Sequence, residues 1–441
     1  MDPYLLIILL FIFYFFLLRL LKTMGVWRKK IDASLVNCCP SCNLSLDRIK
    51  ALLNKLGNPH LNLSPTIHIA GTNGKGSTLS YLKHILNFNG YSVNAYISPH
   101  LSKFNERIVL NNKEVSTHKL LTCLQYVKSV NQGKPITFFE ITTAAAFLLF
   151  AKTKADFLIL ETGLGGRLDA TNVIPKSLIS IITPISYDHE DFLGNSIKKI
   201  ASEKLGIIKK NNYVIIGKQK SEIENFIRKK TKNIKHKFFF KKNYGINNIS
   251  KKNLEFFFNK KKYLIEYPKL LGKHQIENTC MAVAGSLILK DMGYNIKLNL
   301  LNKGIINTKW PGRLEMINYK NKKILLDGSH NVDGAINLNS FLKDKNIKPW
   351  ILFGMLNTKK IREFLSIIQN QIEGIVAIKI PEEKNAFTAN QILKKCKQLK
   401  INCVIKNSIR EANNFLLQQS TKYILITGSL YLVGKLREKY L

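Results

Sequence analysis

The stretch Ile67-His68-Ile69-Ala70-Gly71-Thr72-Asn73-Gly74-Lys75-Gly76-Ser77-Thr78 decides how the chain folds. An apolar strand runs into a glycine-rich turn. A helix follows, with Leu79, Leu82, Ile85 and Leu86 on one stripe of the Gly74 to Phe88 segment. Glycines let backbone amides turn toward an anion, and the helix N-terminus adds its partial positive charge. Lys75 adds a full charge, and a hydroxyl from Ser77 or Thr78 can reach a magnesium ion. A glycine-rich turn without function would need none of these parts in this order, so the stretch reads as a nucleoside triphosphate site. It departs from the usual G-x4-GK[ST] pattern, because Ile69 stands at the first glycine position and Gly76 separates Lys75 from Ser77.

Outward from this loop, short β-branched runs alternate with amphipathic helices. The expected strands are residues 66–70, 92–97, 157–161, 178–182 and 213–217, a pattern for a parallel-sheet α/β domain. A Lys- and Phe-rich stretch at 228–266 interrupts the rhythm, and 273–290 reads as helix again. After Trp310-Pro311-Gly312 a second βα series begins, with strands near 323–327, 349–354, 374–378 and 422–427. The fold class is therefore α/β throughout. The expected organisation is an apolar N-terminal extension (1–23), an ATP-binding central domain (24–300) and a smaller, Rossmann-like α/β C-terminal domain (301–441).

The 441 residues are 45% hydrophobic and 10% aromatic, which excludes a disordered chain, a collagen-like chain and a small disulfide scaffold. Lys and Arg number 68 against 29 Asp and Glu, a net charge of +39. Such a balance suits a polyanionic partner. Here, however, the excess is spread along the chain, which favours compositional drift. In the densest basic patch, Phe238, Phe239, Phe240, Phe256, Phe257 and Phe258 are either stacking platforms for single strands or the inner face of strands whose lysines face water. The second reading is preferred. Seven cysteines form no even framework, which points to a reducing compartment. Cys39 and Cys42, beside Cys38, lack the second ligand pair that zinc needs. Tyr4 to Leu18 is apolar but short for a membrane span and lacks the marks of a secretory signal. It reads as a start-site error, with translation beginning at Met24, or as a dispensable extension, ahead of a membrane anchor. If it does insert, Arg19, Lys22, Arg28, Lys29 and Lys30 hold the remainder in the cytoplasm.

The loop variant GTNGKGST resembles that of the Mur ligase superfamily, specifically the dihydrofolate synthase/folylpolyglutamate synthase family. The resemblance extends in order through Ser98-Pro99-His100-Leu101, Asn105-Glu106-Arg107, Thr137-Phe138-Phe139-Glu140 and the run from Glu161 to Asn172. It continues through Asp188-His189, Leu193-Gly194, Glu203-Lys204 with Gly206-Ile207, His274-Gln275 with Asn278, Pro311-Gly312-Arg313, the run Asp327 to Asn331, and Gly428-Ser429-Leu430. Three departures stand out: Leu205 at a small-residue position, Ser329 at a position where alanine is common, and Thr358 in place of the acid in Gly-Met-Leu-x-Asp-Lys.

The resemblance implies a Mur-ligase-type ATPase domain and a C–N bond-forming ligase. It would add L-glutamate to dihydropteroate or to (tetrahydro)folate through an acyl phosphate. Lys75, Lys204 and His189 are implied as catalytic. Gly71, Thr72, Asn73, Gly74, Lys75, Gly76, Ser77, Asn278, Arg313, Asp327 and His330 are implied as ATP contacts. Ser98, Glu161, His189 and Lys204 are the implied ligands of two Mg²⁺ ions, with Mn²⁺ a possible substitute and Lys204 carbamylated by CO2. On the folate side the implied residues are Ser45, Leu46, Asp47, Thr137, Phe138, Phe139, Glu140, Leu168, Asp169 and Ala170. Two like-charged reactants must meet, so positioning and cationic neutralisation would carry the reaction. Small-molecule partners, no nucleic acid, a monomer and a cytoplasmic location are expected. The competing readings are a peptidoglycan-type Mur ligase and a membrane-tethered basic protein that binds nucleic acid.

Overall fold

The computed structural model describes residues 44–250 and 252–441. The apolar run before Met24 and the cysteines at 38, 39 and 42 lie outside them.

The first layer is an eight-stranded sheet of β1 (Thr66–Ala70), β2 (Val93–Tyr96), β3 (Ile108–Leu110), β4 (Lys113–Glu114), β5 (Phe157–Glu161), β6 (Ile179–Ile182), β7 (Tyr213–Ile216) and β8 (Lys237–Phe239). The order across the sheet is β4-β3-β2-β5-β1-β6-β7-β8. β1, at the centre, pairs in parallel with β5 and β6, with Ile67 opposite Ile159 and Ile179. The pairs β2–β3 and β3–β4 are antiparallel, so the sheet is mixed at one edge. That edge hairpin lay beyond the sequence pattern, because its strands are too short to show a period.

The central strands are buried along their whole length, which matches their continuous apolar runs and means both faces are covered. The helices are α1 (Asp47–Lys55), α2 (Lys75–Phe88), α3 (Thr117–Asn131), α4 (Phe138–Lys152), α5 (Glu190–Leu193), α6 (Ile197–Leu205), α7 (Ser221–Lys230), α8 (His274–Asp291) and α9 (Leu298–Ile306). Side chains alternate across each strand. Ile67, Ile69 and Ile159 therefore meet α2, α8 and α9, while Leu158 and Leu160 meet α1, α3 and α4. α6 and α7 close the same sheet against Val214 and Ile216.

The Lys- and Phe-rich stretch forms the antiparallel β9 (Tyr244–Ile249), β10 (Asn253–Phe258) and β11 (Lys261–Glu266), with Phe256 opposite Tyr263. Phe239, Phe256 and Phe258 are buried in the core, and Phe238 stacks on Phe258 with centroids 5.3 Å apart. These rings are core residues, and Lys261 and Lys262 on the adjoining β11 are exposed.

Beyond α9 the chain crosses to a six-stranded sheet of β12 (Glu315–Tyr319), β13 (Lys322–Leu326), β14 (Trp350–Phe353), β15 (Gly374–Ala377), β16 (Cys403–Ile405) and β17 (Tyr423–Thr427), in the order β12-β13-β17-β14-β15-β16. All neighbours are parallel except β12, an antiparallel edge strand. Among the described residues, no helix is long and apolar enough to cross a membrane.

Candidate functional site

β1 ends at Ala70 and α2 begins at Lys75, so four residues turn the chain from strand to helix. Thr72 N donates to Pro184 O at 2.9 Å and Thr72 Oγ1 to Ser186 O at 3.0 Å, pinning the turn to the loop after β6. Gly74, the residue before α2, has φ +88°. A Cβ there would stand 2.4 Å from Asn278 Oδ1 on α8. Gly74→Ala therefore combines an unfavourable backbone region with a displaced Asn278, whose Nδ2 donates to Gln275 Oε1 at 3.0 Å. We expect a loss of about 1–3 kcal/mol in urea unfolding, together with weaker ATP binding measured by calorimetry.

The loop opens on a cavity of about 160 Å³ between the two sheets' domains. Every residue that the sequence assigned to ATP or metal lines it: Gly71 to Ser77, Ser98, Glu161, His189, Lys204, Asn278, Arg313, Asp327 and His330. They arrive from the ends of β1, β2, β5 and β6, from α6 and α8, and from both ends of the β12–β13 hairpin. This is the carboxyl edge of the parallel sheet, where α/β sites form.

The electrostatics of the cavity centre on one carbonyl. Lys75 Nζ donates to Gly71 O at 3.3 Å and to Thr72 O at 3.3 Å, and Lys204 Nζ donates to the same Gly71 O at 2.9 Å. Burial, reinforced by the Lys75 charge, lowers the Lys204 amine to about 7. Glu161 is buried, and desolvation raises its carboxyl above the ordinary range, against Lys75, the Ser98 amide, Arg313 and Arg107. Ser98 N donates to Glu161 Oε2 at 3.1 Å. Arg313 is half-buried; desolvation lowers it, and Asp327 and Glu161 act in the opposite direction.

Asp188 is the connector that the sequence-based site omitted. Burial opposes its ionisation, but His330, His189 and Lys359 together hold it well below the usual carboxylate range. Lys359 Nζ bonds Asp188 Oδ1, and Asn331 Nδ2 donates to Asp188 Oδ2 at 3.2 Å. Asn331 and Asn73 exchange amide bonds of 3.1 and 3.2 Å. Asp188 and Asn73 sit after β6 and β1, whereas Asn331, His330 and Lys359 belong to the second domain, so this network spans the cleft. No local pattern could reveal it, since Asp188 and Lys359 are 171 residues apart.

The folate-side residues form a separate group, and none of them lines the cavity. Ser45 Oγ bonds Asp47 Oδ2 at 2.7 Å at the start of α1. Thr137 and Glu140 form a capping box for α4, and Glu140 pairs with Arg48 of α1 at 3.1 Å. Asp169 is committed to the Gly163, Leu164 and Thr171 amides at 2.8–2.9 Å. Leu46, Phe139 and Ala170 share one core cluster, and Leu168 is half-buried. Phe138 is 37% exposed and meets Phe104 edge-on at 5.8 Å, with the Arg107 guanidinium over both rings.

Comparison with known proteins places this geometry. The Mur ligase middle domain matches residues 69–285, and the dihydrofolate synthetase C-terminal domain matches residues 312–439. The chain is 32% identical over 417 residues to the dihydrofolate synthase/folylpolyglutamate synthase of Bacillus subtilis, covering 89% of this chain and 94% of the relative. The chain belongs to the dihydrofolate synthase/folylpolyglutamate synthase family. It is thus a ligase of the C–N bond-forming kind. The dihydrofolate synthetase of Saccharomyces cerevisiae is 31% identical to this ligase over 426 residues, covering 89% and 97% of the two chains. Escherichia coli FolC in complex with DHPP and ADP superposes with a TM-score of 0.83 at 26% identity, over 92% of this chain and 96% of that one. The folylpolyglutamate synthase of Thermotoga maritima gives a TM-score of 0.78 at 30% identity, over 95% and 97%.

The donors of the ligase cavity suit a hard divalent cation. Among the described residues, no cluster of three or more His, Cys, Asp or Glu could hold a metal alone. An ion there would be completed by the Ser98 hydroxyl and by phosphate oxygens, the usual manner for Mg²⁺. A cation beside Glu161 would also relieve the cost of burying that carboxylate.

Proposed function

We propose that the chain joins the amine of L-glutamate to a carboxylate of dihydropteroate or of a reduced folate, using ATP and passing through an acyl phosphate. The single observation that carries this reading is the convergence of the loop, Glu161, Lys204 and Arg313 on one cavity between the two domains. The Escherichia coli relative that shares the fold is in complex with DHPP and ADP, which supports a pterin acid as one partner.

In this reading the amides of Gly71 to Ser77 and the α2 N-terminus cradle the β- and γ-phosphates. Lys75 swings from the Gly71 and Thr72 carbonyls to neutralise charge on the transferring group. Arg313 reaches the phosphates from the second domain, Asp327 holds the ribose, and Asn278 with His330 borders the nucleotide. Ser98 and Glu161 would hold one Mg²⁺ ion, with His189 and carbamylated Lys204 holding a second. Such an ion, when bound, supplies Lewis-acid neutralisation of phosphate oxygens. For Lys204, the ammonium would first lose a proton to solvent; the neutral amine would then add to CO2, an N–C bond forming as one C=O π pair moves to oxygen and a second proton leaves to solvent, so a cation becomes an anion able to ligate metal. Leu46, Phe138, Phe139, Leu168 and Ala170 border the pterin side, where the half-exposed Phe138 can stack on a planar ring. The interdomain network on Asp188 keeps the halves of the site in register for transfer.

The test is incorporation of radiolabelled L-glutamate with dihydropteroate and with tetrahydrofolate as separate acceptors. ATP hydrolysis that requires both glutamate and one of these acids is expected. ATP turnover indifferent to both, or no incorporation with either, would overturn the assignment.

A further inference from the structure

A second, larger cavity of about 540 Å³ lies against the first and shares Pro99, Arg313 and Leu430 with it. Its size falls within the roughly 300–1,000 Å³ of small-molecule sites, whereas the nucleotide cavity is below that range. No residue assigned to the folate side lines it, and Arg313 is the only assigned nucleotide contact that does. Trp310 forms part of its wall and lies over Gly76, where a Cβ would come within 2.4 Å of the indole. The cavity is therefore built against the phosphate loop itself.

Its charges are unbalanced. Two acids, Glu106 and Glu114, face five cations, Lys83, Lys113, Lys309, Arg313 and Arg437, and Glu106 is committed to the backbone amides of Leu101, Ser102 and Lys103 at 2.6, 3.0 and 2.7 Å. Arg437 is committed to Glu315 through both carboxylate oxygens. Lys83, Lys113 and Lys309 also line the cavity, and among the described residues none of the three forms an ion pair within 4 Å. Burial lowers the Lys83 amine and Glu114 only partly restores it, so a further anion beside it would be favourable. Flexible ammonium groups suit carboxylates whose positions vary, where a rigid guanidinium fork suits a fixed partner.

We propose that this cavity holds the α-carboxylates of a γ-glutamyl tail already present on the acceptor, while the terminal γ-carboxylate reaches past Arg313 to the phosphoryl group. This inference rests on the glutamate-ligase reading. Each added glutamate brings one more α-carboxylate, and in this reading the first cavity is already taken by the nucleotide. The wall formed by Pro99, Arg313 and Leu430 makes the two spaces neighbours, so a tail can lie in one with its end in the other. The ligand chemistry is a flexible polycarboxylate; free L-glutamate offers the same groups in shorter form, and the experiment separates the two.

The full chain with MgADP is titrated with a fluorescent tetra-γ-glutamate peptide, and initial rates are measured with mono- and triglutamyl acceptors. For the double variant Lys83→Gln/Lys309→Gln, peptide binding should weaken about tenfold and KM for the triglutamyl acceptor should rise about tenfold, as expected for the loss of charge-assisted contacts. KM for the monoglutamyl acceptor, ATP and L-glutamate should stay within about twofold of wild type on the same grounds. Equal changes for both acceptors, a selective rise in KM for L-glutamate, or no change at all would overturn the proposal. Lys309→Gln alone, at an exposed side chain, gives the same comparison should the double variant not fold. Failure to incorporate glutamate with any acceptor would sink the ligase reading, and the peptide titration would still judge the cavity.

Discussion

Replacing Lys75 by alanine lowers kcat/KM for glutamate ligation by on the order of 10³, or ~4 kcal/mol of transition-state stabilisation, and leaves the unfolding midpoint near that of wild type. The argument is local. Lys75 is the first residue of α2, and its amine bonds two carbonyls of its own loop, so its removal opens no core. It also removes one of two cations that share Gly71 O, which relieves repulsion in the ground state. The loss must then appear where phosphate charge accumulates. Initial rates with saturating ATP, together with thermal unfolding followed by circular dichroism, check both halves. Retention of a tenth of the activity would remove Lys75 from the phosphate-neutralising role.

The second large effect is at Lys204. Lys204→Ala should reduce turnover by about a hundredfold or more, and short carboxylic acids such as acetate should restore part of it by supplying the missing anion. The pH dependence has a definite sign. With the amine lowered to about 7 by burial and by Lys75, it is mostly charged below neutrality and mostly neutral above it. At fixed dissolved CO2, carbamate formation on the wild-type protein should therefore increase as pH rises through about 7, rather than through the ordinary lysine value near 10.4. Carbon-13 NMR of protein equilibrated with labelled CO2 reads this directly. A carbamate signal that first appears only above pH 9, or a variant that no carboxylic acid rescues, would argue that Lys204 acts as a plain structural amine on Gly71 O.

These two lysines show how differently residues announce themselves. Lys75 is legible because its chemistry depends on immediate neighbours: a strand, glycines, a hydroxyl and a helix that share one stretch of backbone. Lys204 carries no such mark among 68 basic residues; only the Glu203-Lys204 motif and its family resemblance singled it out. Its depressed amine arises from enclosure by residues over a hundred positions away. The phenylalanines of 238–258 made the opposite case. Their letters suited either stacking platforms or core, and pairing between β9, β10 and β11 put Phe256 and Phe258 inside. Asp169 and Glu140, read as folate-side residues, are engaged in turns, caps and an ion pair, while Phe138 and the half-buried Leu46 and Leu168 keep partly open faces.

The chain by itself determined the alternation of strand and helix, the phosphate loop and the presence of two α/β series, because each depends on periodicity and turn chemistry within a few residues. Tertiary structure alone decided the antiparallel edges β3–β4 and β12, the Asp188 network across the cleft, and the pairing of a small nucleotide cavity with a larger basic one. All of these join residues far apart in sequence, where contact, enclosure and unbalanced charge are properties of the folded arrangement and of no single segment.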